Sequence, residues 1–493
     1  MAKFDRLLAS DGEICLATLG DLLTSGGDDR IRIGADGRNR YFATASPFAG
    51  LTYGSSTISS ISADALAHLA ADWYPLVAGS MTSAAYAAQL AALRTRLVDH
   101  YGNEDTEIIF AASGTDLEYV GLAAAPAVAG PLCAILLGRD EVGSGCVHSA
   151  AGRYFADVTA TGAKVATGTP IDARHAANRL ADLPIRHADG RPRASAEIRA
   201  EIEELADAAL ASGEHPVIHI VHGSKTGLTL PGWKDCQALS DRYGPRATIV
   251  VDACQLRISP AAVRAYLAMG AIVLGTGSKF ANGAPFSGFA FVPGEIMRRA
   301  APLSPGFASL SRRAEWPAEW PGRDILPDTA NPGLILRLAG ALFEIDRFHA
   351  LSTARVAEIV ADFQIEVTAA ASGCEMALLP AVVRESCLAA SLVTLDLSQH
   401  RPALDFDAAA AIHRHLCLDD SAPMRIGQPV RARRSGNSNF AATLRLSLSM
   451  PMMAEHAALS RQGSQARFAA ELGQICAAIA HHADRYTAQR HAA

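Results

Sequence analysis

The chain has 493 residues, 49% hydrophobic and 19% charged, which gives material for two or three domains with a large core and excludes a disordered protein. Its 44 basic and 50 acidic residues leave a net charge of −6, a balance with no bulk attraction to nucleic acid or anionic membrane. The nine cysteines are scattered, without C-x-x-C or histidine at metal-ligand spacing; they read as small buried hydrophobes, and no metal site is expected.

The opening residues, MAKFDRLLASDGEIC, carry acids early and lack the apolar core of a signal peptide, so a soluble, cytoplasmic protein is expected. Residues 1–60 hold Gly/Asp/Ser-rich patches and the run TYGSSTISSIS, which read as an arm of loops and short helices. Tyr41, Phe42, Phe48, Leu51 and Tyr53 in this arm cannot form a core alone. They predict packing on a neighbouring subunit, with Ser55–Thr57 close to the site; packing on the same subunit is the other reading. Helical spacing from Ser62 to His100 predicts two helices. The longest apolar stretch, Tyr119–Gly138, is broken by Pro126, Gly130 and Pro131, short of the roughly 20 residues that a membrane span needs.

From residue 107 the apolar runs EIIFAAS, LCAILLG, PVIHIVHG, ATIVVDA, AIVLGTG and GFAFVP alternate with helices such as SAEIRAEIEELADAALAS and LPGWKDCQALSDRYG. Alternation of this kind predicts an α/β fold, with a large domain at 61–330 whose mostly parallel sheet is flanked by helices. The proline-rich loop 312–333 is expected to end that domain. The remainder, 331–493, opens with one long helix (334–364), continues through the strands SLVTLDLS and LRLSLSM, and ends in an amphipathic helix. It reads as a smaller α+β domain.

The run VVDACQ ends at Asp252, placing a carboxylate at the C-terminal edge of a parallel sheet, where open α/β folds bind ligands; a helix cap is the bland alternative. The strand AIVLGTGSKF breaks at two glycines and delivers Lys279, 27 residues after Asp252 and one crossover away, to the same edge. A lysine against apolar strand ends has its charged form disfavoured and becomes a nucleophile. Upstream, EIIFAAS runs into Ser113-Gly114-Thr115. Backbone N–H groups of a starting helix and the Thr115 hydroxyl suit a phosphate there, or simply cap the helix. In that order the three features match pyridoxal 5′-phosphate: a lysine for the Schiff base, an acid that keeps the ring nitrogen protonated, and a phosphate cradle.

These segments resemble the fold-type I pyridoxal-phosphate enzymes, and in detail the class V aminotransferase and cysteine desulfurase superfamily. The resemblance covers residues 105–295 well, the C-terminal third loosely and the first 50 not at all. It implies that Gln255 of D-A-C-Q lies near the ring hydroxyl, and that Thr276 and Ser278 of G-T-G-S-K bind phosphate with Gly114 and Thr115. FANGAPFSGFAFVP would form a glycine-rich turn and return strand, and HGSKTGLTLPG would bring Ser224 or His222 near the cofactor. Arg445 of L-R-L-S would grip the substrate carboxylate, a task suited to a guanidinium; a surface ion pair is its other reading.

Two departures qualify the match, and two further segments carry alternative readings. No cysteine lies between Cys417 and Cys476, where a desulfurase carries its nucleophile, so sulfur transfer is not expected. The position for a ring-stacking aromatic falls near Gly143 and Ser144, with His148 the nearest candidate cofactor contact, or else a helix residue facing solvent. Arg425 and Gln428 of RIGQPVRARR either meet an anionic substrate or lie on a solvated surface. Lys225 rivals Lys279 but precedes Asp252, against the order in the family. The resemblance thus implies a homodimeric pyridoxal-phosphate enzyme, aminotransferase-like, that acts on an amino acid through Lys279. A lyase or carbon–carbon-forming enzyme of specialised biosynthesis is the alternative. A non-catalytic binding module is disfavoured by the joint presence of Asp252, Gln255 and Lys279.

Overall fold

The computed structural model describes residues 19–54, 56–77, 81–127, 130–379, 387–399, 401, 404–419, 421–432, 434–435 and 439–492. Its first nine strands are Leu51–Tyr53 (β1), Thr106–Ala111 (β2), Leu132–Leu137 (β3), Arg179–Leu183 (β4), His215–His222 (β5), Thr229–Leu230 (β6), Thr248–Asp252 (β7), Ile272–Thr276 (β8) and Gly288–Pro293 (β9). The main sheet has the order β2-β9-β8-β7-β5-β3-β4, with β6 antiparallel on β5. Strands β8, β7, β5, β3 and β4 run parallel, and β9 returns antiparallel between β2 and β8. All six apolar runs are strands of this sheet, and β3, β5 and β8 are buried along their whole length, as a sheet covered on both faces requires. The sequence reading missed β4: RLADL is polar because it lies at the sheet's edge, where no apolar run is needed.

Helices cover both faces. Ser83–Tyr101 buries Tyr86, Leu90, Leu93 and Leu97 at helical spacing, and Ser195–Ala211 buries Ile198, Ile202, Ala206 and Ala209. The helix Gly114–Ala123 is almost wholly buried, because the loop after β9 folds back over it. Trp316 and Trp320 of that loop lie 4.9 Å apart in the same apolar cluster as Leu117 and Val120, so residues 312–333 form a packed cover and not a solvated linker.

The C-terminal third contains Ala377–Leu378 (β10), Leu392–Asp396 (β11), Met424–Ile426 (β12), Arg434–Ser435 (β13), Asn439–Phe440 (β14) and Thr443–Ser447 (β15); β10, β11 and β15 form an antiparallel sheet. The expected single long helix is two, Pro332–His349 and Thr353–Gly373. Ser352 starts the second by accepting the Arg355 N–H at 3.2 Å. The terminal helix is Arg461–Ala492.

The arm corrects an expectation. It packs on its own chain: β1 pairs in parallel with β12, Tyr53 donates to Glu471 at 2.7 Å, and Phe48 lies 4.1 Å from the Arg425 guanidinium. The edge of β12 pairs the backbone of β1 within the subunit. Residues 1–18, with Cys15, and Ser55 lie outside the described residues. The described cysteines are free, and among the described residues no group of three or more His, Cys, Asp or Glu is placed to hold a metal. No described helix is long and apolar enough to cross a membrane.

The turn after β8 presses on the helix Pro332–His349. A Cβ on Gly277 would stand 2.2 Å from Ala341 Cβ and 2.9 Å from Ser287 Oγ. Gly277→Ala is therefore expected to cost about 1–3 kcal/mol by overpacking, read as a lower denaturant midpoint of the apoprotein; an unchanged midpoint would show that the turn relaxes freely.

Candidate active site

Strand register brings the chemistry to one edge. Asp252 at the end of β7 lies opposite Val221 and Leu274, while Thr276 at the end of β8 faces Gly288, which in turn faces Ala111 of β2. The first turn of the helix Gly114–Ala123 sits directly on these strand ends. A Cβ on Gly114 would lie 2.9 Å from Cys254 Sγ and 3.1 Å from Thr276 Cγ2, so glycine permits the approach.

Lys279 is half-buried, and its amine makes no hydrogen bond or ion pair with any described residue. Asp252 accepts the Cys254 N–H at 2.9 Å and has no basic partner among the described residues. The Cys146 and Cys254 thiols lie within the fields of Asp252, Glu118 and Lys279. Burial, reinforced by the two carboxylates, pushes both thiols well above the usual range and keeps them protonated.

The other expected residues divide into two groups. Thr115 Oγ1 accepts from Arg30 Nη1 at 3.3 Å, which leaves its own proton free to donate, and the Ser278 hydroxyl has no partner among the described residues. Thr276 donates its hydroxyl proton to the Cys254 carbonyl at 2.8 Å. Gln255 is buried, its Oε1 accepting from Arg257 Nη1 at 3.1 Å. Arg445 donates Nε to Gln428 O at 2.9 Å and Nη1 to Lys225 O at 3.1 Å. It meets no carboxylate among the described residues, and burial pushes its guanidinium down to about 10.

The second group is turned to other partners. The Ser224 hydroxyl donates to buried Glu141, which also takes Thr226 and Arg186. Burial opposes the charge of Glu141, but Arg186, Ser224 and Thr226 hold it below the usual carboxylate range. His222 Nδ1 meets the Tyr266 hydroxyl at 3.2 Å, and burial brings its imidazole down to about 4. Arg425 is buried, donating to Cys417 O at 2.8 Å and lying over the ring of Phe48, and the Gln428 carbonyl accepts from Arg445 Nε. His148 lies against Gly168 and makes no hydrogen bond or ring contact with the residues of this edge. The turn that carries it does reach the site: Cβ atoms on Gly143 and Gly145 would stand 3.2 Å from Thr115 Oγ1 and 2.7 Å from Thr115 Cγ2. Lys225 donates Nζ to Asp140 O at 3.1 Å; burial, then Arg445 and Lys279, lower it to about 8.

Sequence reasoning missed four features here. Cys146 comes from the glycine turn. Glu118 and His219 meet at 2.6 Å with almost no exposure, and burial raises the Glu118 carboxyl; a titratable residue set between apolar neighbours, in LEYV and in VIHIV, was the available signal. Arg257 holds Gln255. Arg30, clamped by Asp28 and lying between the rings of Phe155 and Phe286, donates to Ser113 and Thr115 from more than 80 residues away, for which the sequence offers no cue. Beside it, burial and the Asp28 charge push Asp116 up to about 7.

No family model and no curated protein matches the chain. Solved structures share its fold. A NifS-like protein aligns over 87% of this chain and 99% of its own, at 11% identity and a TM-score of 0.55. The apo cysteine desulfurase from Thermococcus onnurineus NA1 aligns over 87% of this chain and 94% of its own, at 16% identity and a TM-score of 0.53. The chain has the fold of the type I pyridoxal-phosphate enzymes, a mostly parallel sheet flanked by helices with a small C-terminal sheet.

Proposed function

We propose that this protein is a pyridoxal 5′-phosphate-dependent enzyme that transforms an amino acid, aminotransferase-like, with Lys279 as the residue that would hold the cofactor. The observation that carries this reading is an amine, Lys279, that makes no hydrogen bond or ion pair among the described residues, at the same strand edge as a carboxylate, Asp252, without a basic partner among them. The surrounding donors fit the group: a glycine-started helix pressed on Thr276, and the Thr115 and Ser278 hydroxyls with protons to give to a phosphate.

When bound, the cofactor supplies a sink for the electron pair left on the substrate α-carbon. The chain's own residues do the rest. Asp252 would keep the ring nitrogen protonated. Gln255 would donate its amide N–H to the ring oxygen. Arg445 takes the substrate carboxylate with the N–H groups that Gln428 O and Lys225 O leave free. Lys279 Nζ would move the substrate α-proton. The protonated state of Cys146 and Cys254 favours chemistry that needs no thiolate. A homodimer in solution, read by light scattering, belongs to the same proposal.

The test is direct. Purified protein mixed with pyridoxal 5′-phosphate is expected to show a bound-cofactor absorbance band and, after borohydride reduction, a covalent adduct on the peptide containing Lys279. A panel of amino acids with keto-acid acceptors then reads transamination, against ammonia release for a lyase and acyl-donor consumption for carbon–carbon bond formation. No band and no adduct would overturn the proposal. With the substrate so found, Arg445→Lys is expected to raise KM about 10–100-fold, since a charge-assisted hydrogen bond is worth roughly 1.5–3 kcal/mol, while leaving binding of the matching amine without a carboxylate unchanged. Equal loss for both ligands would remove Arg445 from carboxylate binding.

A further inference from the structure

We infer that Arg257 is a positioning residue that sets the polarity of the Gln255 amide and ties it to the segments that carry Arg445. The inference rests on the pyridoxal-phosphate reading of the site. Arg257 is almost completely buried, and each of its three nitrogens has a different acceptor: Nη1 donates to Gln255 Oε1 at 3.1 Å, Nε to Ser391 Oγ at 2.9 Å, and Nη2 to Leu448 O at 2.7 Å. Its guanidinium lies 4.8 Å from the ring of Phe280, the neighbour of Lys279. Ser391 passes its own proton to Leu388 O at 2.6 Å, so its oxygen is free to accept from Arg257. Ser391 immediately precedes β11, and Leu448 immediately follows β15, the strand of Arg445.

The chemistry of the donor decides the orientation. A guanidinium only donates, so the amide end of Gln255 that faces it must be the carbonyl oxygen. The Nε2–H2 end is then turned away from Arg257, and a neighbouring acceptor meets a donor and not a carbonyl. Without Arg257 the amide is free to flip, and on average its hydrogen bond to a ring oxygen weakens. A planar fork fixed at three points holds this orientation at little further entropic cost, whereas one lysine ammonium cannot span the three acceptors. The same fork joins the Asp252–Gln255 segment to both strands behind the substrate grip.

The test uses the full-length protein loaded with pyridoxal 5′-phosphate and reads the pH midpoint of the bound-cofactor absorbance change. Thermal unfolding of each apoprotein is measured alongside. Gln255→Leu and Arg257→Met are each expected to raise the midpoint by about one pH unit, the scale of one charge-assisted hydrogen bond lost from the ring oxygen. The double variant is expected to move no further than Gln255→Leu, because Arg257 acts through that side chain. Arg257→Lys, which keeps the cation, should shift the midpoint the same way by less and decides the matter if Arg257→Met does not fold. A merely structural role would lower apoprotein stability and leave the midpoint at the wild-type value. That result in both Arg257 variants, or a double variant whose shift is the sum of the two, would overturn the inference while the function stands. A wild-type protein that binds no cofactor would overturn the functional reading and this inference with it.

Discussion

Lys279→Ala is expected to abolish covalent retention of pyridoxal 5′-phosphate and all turnover while leaving the apoprotein as stable as the wild type. The reason is the position of the amine. It makes no hydrogen bond or ion pair with any described residue, so removing it breaks no structural contact. A half-buried side chain without such contacts falls within the roughly 0.5 kcal/mol range of neutral substitutions. Loss of Lys279 also removes one of the charges that lower Lys225, so the Lys225 amine should become more basic and less reactive. Borohydride reduction and peptide mapping check the outcome. An adduct recovered on Lys225 in the variant would transfer the role to that residue. Activity without any adduct would remove the covalent reading altogether.

Asp252→Asn is expected to keep the fold and the cofactor but to slow α-proton chemistry on the order of a thousandfold. The hydrogen bond from the Cys254 N–H to Asp252 Oδ1 at 2.9 Å survives with an amide oxygen in the same place, so the turn after β7 is preserved. What is lost is the charge. A contacting carboxylate raises the pKa of a nitrogen by up to about three units, or ~4 kcal/mol. Fully expressed in the transition state, that is roughly a thousandfold in rate. Single-turnover absorbance with a substrate amino acid measures it, and near-wild-type turnover would take Asp252 out of its role.

The main sheet was legible because each of its inner strands is a local event. A run such as IVV or AIVLG needs both faces covered wherever it lies, and six of six such runs are strands. Asp252 and Lys279 were legible for the same reason: Asp252 ends β7, Lys279 follows the end of β8 by three residues, and one crossover between parallel neighbours returns the chain to the same edge. The break between the helices at Ser352 also had a local cue, a capping serine, which the unbroken apolar periodicity outweighed in the reading.

The remaining assignments belonged to partners distant in the chain. Ser224 reads as a site residue by position, yet Glu141, on a different loop, takes its hydroxyl. His148 has the right spacing, but its ring lies beside Gly168, where a built Cβ would be 4.0 Å from its Cε1. The arm reads as a segment in need of a neighbour, yet β12, some 370 residues later, supplies the edge that β1 pairs with. By itself the sequence determined which backbone segments are strands, where they end, and therefore which carboxylate and which amine share an edge. Only the tertiary structure decided which donor meets which acceptor there: Arg30 with Thr115, Arg257 with Gln255, and Arg445 with the Lys225 carbonyl. Backbone pairing follows from local pattern, but a polar side chain takes whichever buried partner the folded chain brings within about 3 Å.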